Sequence, residues 1–131
     1  MSDIPKDLRY AKTHEWARAE EDGTVTIGIS DHAQGALGDL VFVEAPAVAK
    51  KVTAGDACAV VESVKAASDV YAPIGGMVVA TNDLLDGAPE LVNSDPYGKG
   101  WLFRVRPDNA GALDAMLDAD AYAQVVADEA H

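Results

Sequence analysis

Short runs of β-branched and aromatic residues, each bounded by glycine or proline, predict a chain built mainly from β-strands. Val25–Ile29 follows the turn dipeptide Asp22-Gly23, which predicts a hairpin with Trp16–Glu20 as its other strand. Leu40–Glu44 and Trp101–Arg106 predict two further strands. Several short strands at close spacing favour a β-sandwich or a small barrel with helices packed against it.

Short helices are predicted at three places. Ser30 and Asp31 can cap a helix over His32–Leu37, because their side-chain oxygens accept free backbone N–H groups, and Gly38 would end it. Towards the C-terminus, apolar residues recur at i, i+3 and i+4, which predicts two amphipathic helices. Their caps and apolar positions are Asp108 or Asn109 with Leu113, Met116 and Leu117, and Asp120 with Tyr122, Val125 and Val126.

Residues 52–82 form two similar halves, each a turn followed by a strand. The two pairs are Thr53–Asp56 with Cys58–Val61 and Pro73–Gly76 with Met77–Val79. A β-compatible piece lies on either side of Lys65 between the halves, which predicts a tight hairpin with Lys65 near its tip. Repeated proline and glycine over Leu84–Gly100 predict a loop or an irregular crossing.

The composition predicts one folded domain over residues 1–131, since 49% of the residues are apolar and 24% are charged. A formal charge of −12 disfavours nucleic acid and membrane surfaces as partners, and it would steer the chain towards basic protein faces. The single cysteine, Cys58, has apolar neighbours and is expected to be buried and unreactive. Residues 1–9 carry no targeting pattern, so we expect a reducing bacterial cytoplasm.

No motif predicts a self-contained catalytic centre. The sequence has no glycine-rich phosphate loop and no Cys-x-x-Cys pair. His14 and His32 are far apart and lack a metal-ligand partner on the same element, so each is expected to make one hydrogen bond and no metal site is expected. Glu15, Glu62 and Asp69 could form acid–base pairs, but solvated carboxylates are the default in so acidic a chain.

Lys65 is the residue with an unusual setting. The small residues Ala66–Ser68 follow it directly, so an ammonium at the hairpin tip would have little bulk around it. A catalytic lysine needs an apolar pocket that disfavours its charge, whereas Glu62 and Asp69 lie close in sequence and favour the ammonium form. The setting favours an attachment point over a base, with an ordinary solvated lysine as the alternative.

Val60–Asp69 closely resembles the lipoyl-attachment segment of the glycine cleavage H-protein family, in which the lysine carries lipoic acid in amide linkage. Four other blocks resemble the same family in the same order, namely Thr13–Trp16, Gly28–Gln34, Leu37–Glu44 and Glu90–Trp101. The lipoyl domains of 2-oxo acid dehydrogenases share the hairpin but lack these blocks. Biotin carriers usually have methionine where Val64 and Ala66 stand.

The resemblance implies a mainly β fold with short helices, a lipoyl/biotinyl-type β-sandwich (barrel-sandwich hybrid) with C-terminal helices packed on it. The attachment hairpin would lie at about residues 52–82, and lipoate would be bound covalently to Lys65. The protein would then be a cofactor carrier without catalytic residues, because the cofactor supplies the chemistry. Some family members have a histidine near the position of Ala36, so a role for that imidazole does not transfer to this chain.

A carrier of this kind would protect its loaded arm in a cleft of its own surface. By resemblance, Glu15, Ser68 and Asp69 are the cleft candidates, with His32 as a weaker one, because they offer acceptors for an ammonium group. Capping of the hairpin turn is the alternative for Ser68 and Asp69. Glu62 would be recognised by the lipoylating enzymes or would be a plain surface carboxylate.

The implied function is to shuttle an aminomethyl group between enzymes. The group would come from the pyridoxal-phosphate-dependent glycine decarboxylase (P protein) and pass to the tetrahydrofolate-dependent aminomethyltransferase (T protein). Dihydrolipoyl dehydrogenase (L protein) would reoxidise the arm, and the carrier is expected to be a monomer. One alternative is a lipoyl relay protein that hands lipoate to other apo-enzymes, and another is an interaction module in which Lys65 is unmodified.

Overall fold

Nine strands form two sheets in the computed structural model, which describes residues 3–109 and 111–129. All of the paired strands are antiparallel. The six-stranded sheet contains, in spatial order, β1 (Arg9–Tyr10), β2 (Glu15–Ala19), β3 (Val25–Ile29), β9 (Phe103–Pro107), β8 (Gly76–Thr81) and β5 (Lys51–Val52). The three-stranded sheet contains β4 (Leu40–Glu44), β6 (Ala57–Ser63) and β7 (Ala67–Tyr71). The predicted mainly β class is confirmed.

Short helices connect and flank the two sheets. They are α1 (Asp31–Leu37), α2 (Leu84–Gly87), α3 (Leu91–Ser94) and α4 (Ala119–Glu129), together with a 3₁₀ turn over Ala112–Ala115. Within residues 3–109 and 111–129, none of the helices has the length and apolar content that crossing a membrane requires.

The main core lies where the two sheets face each other. Ile27, Phe103 and Val105 of the large sheet and Val61 and Val70 of the small sheet are almost completely buried in one cluster. The alternation of inward and outward residues along these strands produces this apolar layer.

A second apolar cluster lies under the C-terminal helix. Tyr122 of α4 stacks on Tyr10 of β1 with the ring centroids 4.5 Å apart, and Trp16 of β2 is buried in the same cluster. The expected packing of C-terminal helical structure on the sheet is therefore observed for α4. This packing fixes α4 beside the start of β2.

The β2–β3 hairpin forms as predicted, and it contains a tight contact between Trp16 and Gly28, which face each other across the two strands. The indole of Trp16 is fully buried, and its Nε1 donates to the carbonyl of Pro96 at 3.0 Å. A Cβ atom at Gly28 would lie 2.7 Å from the indole ring. Only glycine fits at this position without displacing a buried side chain.

We expect Gly28→Ala to lower the free energy of unfolding by about 1–3 kcal/mol, the usual cost of overpacking a filled core. Gly35→Ala is the matched control, because a Cβ there meets nothing within 4 Å and the residue lies in α1. Urea unfolding of both variants measures the difference. An equal effect at the two positions would contradict the packing argument.

The region 84–100 differs from the predicted loop because it contains the single-turn helices α2 and α3. The side chain of Asn93 in α3 connects this segment to residues 38–40. Its side-chain oxygen accepts from the N–H of Leu40 at 2.9 Å, and its amide donates to the carbonyl of Gly38 at 2.8 Å. The crossing therefore anchors the end of α1 and the beginning of β4.

The strand predicted over Trp101–Arg106 begins later, at Phe103, and includes Pro107. Leu102 still donates its N–H to the carbonyl of Ile27 at 2.9 Å, so backbone pairing to the neighbouring strand begins before the regular ladder. The predicted strand is therefore present, and only its first and last residues differ from the prediction.

The first predicted C-terminal helix is wrong, since only the 3₁₀ turn Ala112–Ala115 forms. Asp108 instead pairs with Lys51 at 3.0 Å, and the side-chain oxygen of Asn109 accepts from the N–H of Gly111. Neither proposed cap is therefore bonded to a helix N-terminus. The local pattern favoured Asp108 as a helix cap, but its carboxylate forms an ion pair with Lys51.

The second predicted C-terminal helix is present as α4, but its cap is different. The carboxylate of Asp118 accepts from the N–H of Ala121 at 2.8 Å, whereas Asp120 lies inside the helix. The apolar periodicity was therefore a correct guide to the buried face, and the capping residue lies two positions earlier than predicted.

Candidate functional site

Lys65 lies at the tip of the hairpin formed by β6 and β7, and Ser63 organises that tip. The hydroxyl of Ser63 accepts from the N–H groups of Lys65 and Ala66, each at 3.1 Å, and donates to the carbonyl of Ala66. The N–H of Val64 donates to the carbonyl of Asp39 at 3.1 Å. These bonds hold the backbone on both sides of Lys65 in one conformation. This role of Ser63 was not predicted from the sequence.

The exposed Lys65 side chain lies over the C-terminal end of α1. Its Nζ donates to the carbonyl of Ala36 at 3.3 Å. A Cβ atom at Gly38 would lie 3.2 Å from Cε of Lys65, and Gly38 has a φ of 85° at the end of the helix. Glycine therefore ends α1 and leaves room for the lysine. Any group joined to Nζ would start beside Ala36.

Ala36 is also part of the wall of a cleft of about 160 Å³, which we call the α1 cleft. Its apolar lining is Ile29, Ala33, Ala36, Leu37, Val61 and Val70, and its polar lining is Thr13, His14, Glu15, Ser68 and Asp69. A closed apolar cavity of about 150 Å³ holds a benzene ring, so the volume suits a small ring. The apolar wall and the polar edge together suit a ring that carries a charged group.

Glu15 is the buried carboxylate of the α1 cleft. It is the first residue of β2 and is only 1% exposed. Its Oε2 accepts from the N–H of Tyr71 at 2.9 Å, and its Oε1 accepts from the hydroxyl of Thr13. Burial raises the pKa of Glu15, while these hydrogen bonds oppose that rise. A carboxylate kept in so unfavourable a setting is a candidate for function.

Of the other predicted site residues, Ser68 and Asp69 line the α1 cleft, whereas His32 and Glu62 do not. Ser68 and Asp69 lie on β7 and line the α1 cleft beside Glu15. The hairpin turn is held by Ser63, so the capping alternative for Ser68 and Asp69 has no support in the turn itself. Glu62 is exposed on β6, away from the cleft lining described above.

His32 faces α4, where its Nε2 lies 3.4 Å from Oε1 of Glu129. His14 also meets this carboxylate, with Nε2 2.9 Å from Oε2 of Glu129, and its Nδ1 lies 2.7 Å from the hydroxyl of Tyr122. Burial lowers the pKa of His14, although the neighbouring Glu129 opposes the shift. The fold therefore brings together the imidazoles of His14 and His32, although their separation in sequence predicts no contact between them.

Cys58 is buried on β6, as the sequence predicts. Burial raises the pKa of its thiol to about 11, so the thiolate is scarce at neutral pH. The Cys58 thiol therefore does not contribute a nucleophile to the site.

Two antiparallel sheets with an exposed lysine on a hairpin tip define a domain of the lipoyl-carrier type. The family model described as "Glycine cleavage H-protein" matches residues 8–129. The chain belongs to this family.

Relatives support the assignment over the whole length. The glycine cleavage system H protein of Alkalilimnicola ehrlichii is 59% identical over 129 residues, which cover 98% of this chain and 99% of that protein. The protein of the same name from Pseudoalteromonas atlantica is 62% identical, with coverage of 98% and 100%. A crystal structure of a glycine cleavage system H protein from Mycobacterium marinum superposes with a TM-score of 0.86 at 42% identity, covering 95% of this chain and 99% of that one.

Proposed function

We propose that this chain is the lipoylated carrier of glycine cleavage, with lipoate in amide linkage to Nζ of Lys65. The observation that carries the proposal is the position of this lysine, exposed on a hairpin tip with Nζ at the wall of the α1 cleft. A modifying enzyme can reach the tip, and Ser63 presents it in one conformation. A group attached to Nζ can also fold back into the cleft.

The residues of the α1 cleft fit a lipoyl group. Leu37 and Val61 offer an apolar wall to a dithiolane ring, and Gly38 leaves the path of the arm open. When bound, lipoate supplies a disulfide that can be reduced and can accept an aminomethyl group, which no ordinary side chain offers. The protein supplies attachment, presentation and protection.

The polar edge of the cleft fits the amine of a loaded arm. An aminomethyl amine is a cation, and the carboxylates of Glu15 and Asp69 accept hydrogen bonds from cations. The hydroxyl of Ser68 adds a neutral acceptor on the same edge. Exclusion of water by the apolar wall slows hydrolysis of the bound group. The α1 cleft thus favours aminomethyl carriage over a pure lipoate relay, which needs no protected loaded arm.

The proposed cycle has three enzyme partners besides the lipoylating enzymes. The carrier receives the aminomethyl group from glycine decarboxylase, delivers it to the aminomethyltransferase and is reoxidised by dihydrolipoyl dehydrogenase. The net charge of −12 supports fast, salt-sensitive encounters with basic faces of these enzymes and disfavours nucleic acid and membrane partners. The cited bacterial relatives support a bacterial cytoplasm, where the chain acts as a monomer.

The test is the intact mass of the protein purified from its own host, followed by peptide mapping over residues 60–71 and over the peptides that contain the other lysines. We expect one lipoyl increment, located on Lys65, because its Nζ is exposed at the tip. Lys50 and Lys51 are internal controls and should be unmodified. Biotin on Lys65, or lipoate on another lysine, would overturn the proposal.

A further inference from the structure

A cluster of three metal-ligating side chains lies beside the α1 cleft, where β2, α1 and α4 meet. It consists of His14, His32 and Glu129, whose ligand atoms all lie within 4.8 Å of one another. Each histidine presents Nε2 to the carboxylate of Glu129, at 2.9 Å for His14 and 3.4 Å for His32. Three elements that are distant in sequence therefore converge on one point.

The separations of the carboxylate from the two imidazoles are close to those of a zinc site. Four ligands at 2.0–2.1 Å from a tetrahedral zinc ion are separated from one another by about 3.3 Å. Oε1 of Glu129 lies 3.0 Å from Nε2 of His14 and 3.4 Å from Nε2 of His32, both near this value. All three ligand atoms lie within 4.8 Å of one another, so a movement that brings the two imidazoles closer together would admit an ion. Two imidazole nitrogens and one carboxylate oxygen are ligands suited to zinc, and they leave one position open.

The outer contacts of His14 set the orientation of its ring. Its Nδ1 lies 2.7 Å from the hydroxyl of Tyr122, which lies 2.6 Å from Oγ of Ser30. Without an ion, Nε2–H of His14 donates to the carboxylate of Glu129. An ion would replace this proton on Nε2, and the neutral imidazole would then donate Nδ1–H to the hydroxyl of Tyr122. Such a second partner is the usual companion of a metal-binding histidine.

The backbone of His14 is held in a conformation that few non-glycine residues adopt. Its φ is 82°, in the left-handed region. Its N–H donates to Ala11 and its carbonyl accepts from Ser30, both at 2.9 Å. The backbone therefore fixes the imidazole at the cluster before any ion arrives, which lowers the cost of binding.

We propose that His14, His32 and Glu129 form a binding site for a divalent transition-metal ion of the zinc class, which fastens the end of α4 to β2 and α1. Because His14 also lines the α1 cleft, the ion would fix one edge of that cleft. The site is separate from Lys65 and would be present whether or not the lysine is modified.

Zinc titration of the full chain by calorimetry tests the site. The Lys65→Arg background is used so that no lipoyl thiol can bind the metal. We expect one Zn²⁺ per chain, and affinity at least tenfold weaker in His32→Asn and in Glu129→Gln. We also expect Tyr122→Phe to weaken binding about tenfold, the effect typical of an outer-shell partner.

Two controls separate this site from adventitious binding. Asp128→Asn removes a neighbouring carboxylate of α4 that bonds to Gln124, and zinc affinity should not change. His131→Ala removes the other histidine of the chain and should also leave affinity unchanged. Binding that persists in His32→Asn and Glu129→Gln, or that is lost in His131→Ala, would overturn the proposal.

A structural readout tests the location of the ion directly. Zinc bound at the cluster should slow amide hydrogen exchange in α4, because the ion joins Glu129 to two other elements. The slowing should disappear in Glu129→Gln and be reversed by a chelator. Unchanged exchange in α4 under saturating zinc would contradict the proposed site, whatever the calorimetry shows.

Discussion

Lys65→Arg is expected to reduce glycine cleavage supported by this chain to the background measured without a carrier. Arginine keeps the positive charge and can still donate to the carbonyl of Ala36, so the hairpin should be undisturbed. It lacks the primary amine that an amide linkage to lipoate requires. The measurement is NADH formation in a reaction reconstituted with the three enzymes of the proposed cycle.

The matched control is Lys50→Arg, which makes the same change at another exposed lysine. It should support full turnover, and the urea-unfolding midpoint should be unchanged in both variants. Turnover well above background in Lys65→Arg would show that the group is carried elsewhere. Loss of turnover in Lys50→Arg as well would indicate damage to partner binding instead of loss of attachment.

The β6–β7 hairpin with Lys65 at its tip could be predicted because its information is local. The turn and the small residues that follow Lys65 lie within a few positions of each other, and so do the β-compatible pieces on either side. The same applies to the β2–β3 hairpin, which is determined by its Asp-Gly turn. The role of Ser63 was not predictable, since a serine before a turn has the same sequence pattern whether or not its hydroxyl holds the tip.

The α1 cleft depends on contacts between residues far apart in sequence. Glu15 accepts from the N–H of Tyr71, 56 residues further on, and it lines the cleft together with residues of α1 and β7. The resemblance selected Glu15, Ser68 and Asp69 as cleft residues, but the residue pattern alone gave no reason to place them together. Thr13, whose hydroxyl bonds to Glu15, was missed for the same reason.

The fourth and weaker cleft candidate, His32, shows the limit of a rule based on spacing within one element. His14 immediately precedes β2, His32 is in α1 and Glu129 ends the described part of α4. Metal-ligand spacing rules recognise pairs on one helix or one turn, and they cannot detect three elements that meet only after the sheet has formed. The cap predicted at Asp108 failed for a related reason, because its carboxylate pairs with the distant Lys51.

Glu15→Gln is expected to shorten the lifetime of the aminomethyl-loaded carrier about tenfold, without unfolding the protein. The amide can accept from the N–H of Tyr71 and donate to the hydroxyl of Thr13, so it replaces both native contacts. It cannot offer a charged acceptor to the bound amine. A hydrogen bond to a charged group contributes about 1.5–3 kcal/mol, and about 1.4 kcal/mol corresponds to a tenfold change in rate.

Although Glu15→Gln should shorten the loaded lifetime, it should raise the free energy of unfolding at neutral pH. Burial raises the pKa of Glu15 above its ordinary value of 4.5, so its contribution to stability is fully present below that value. The contribution is lost as the pH rises through the folded-state pKa. Glu15→Gln removes this cost, so its free energy of unfolding should equal that of the wild type in acid and exceed it at pH 7. Urea unfolding across this range measures the difference.

Glu44→Gln, which removes an exposed carboxylate from β4, is the control for the loss of one negative charge. On fully lipoylated protein, its loaded lifetime should match that of the wild type. An unchanged lifetime in Glu15→Gln together with the predicted gain in stability would leave Asp69 as the acceptor for the amine. A loss of stability at pH 7 would instead show that the carboxylate of Glu15 is required by the β2 region itself, because the hydrogen bonds would then outweigh the cost of burial.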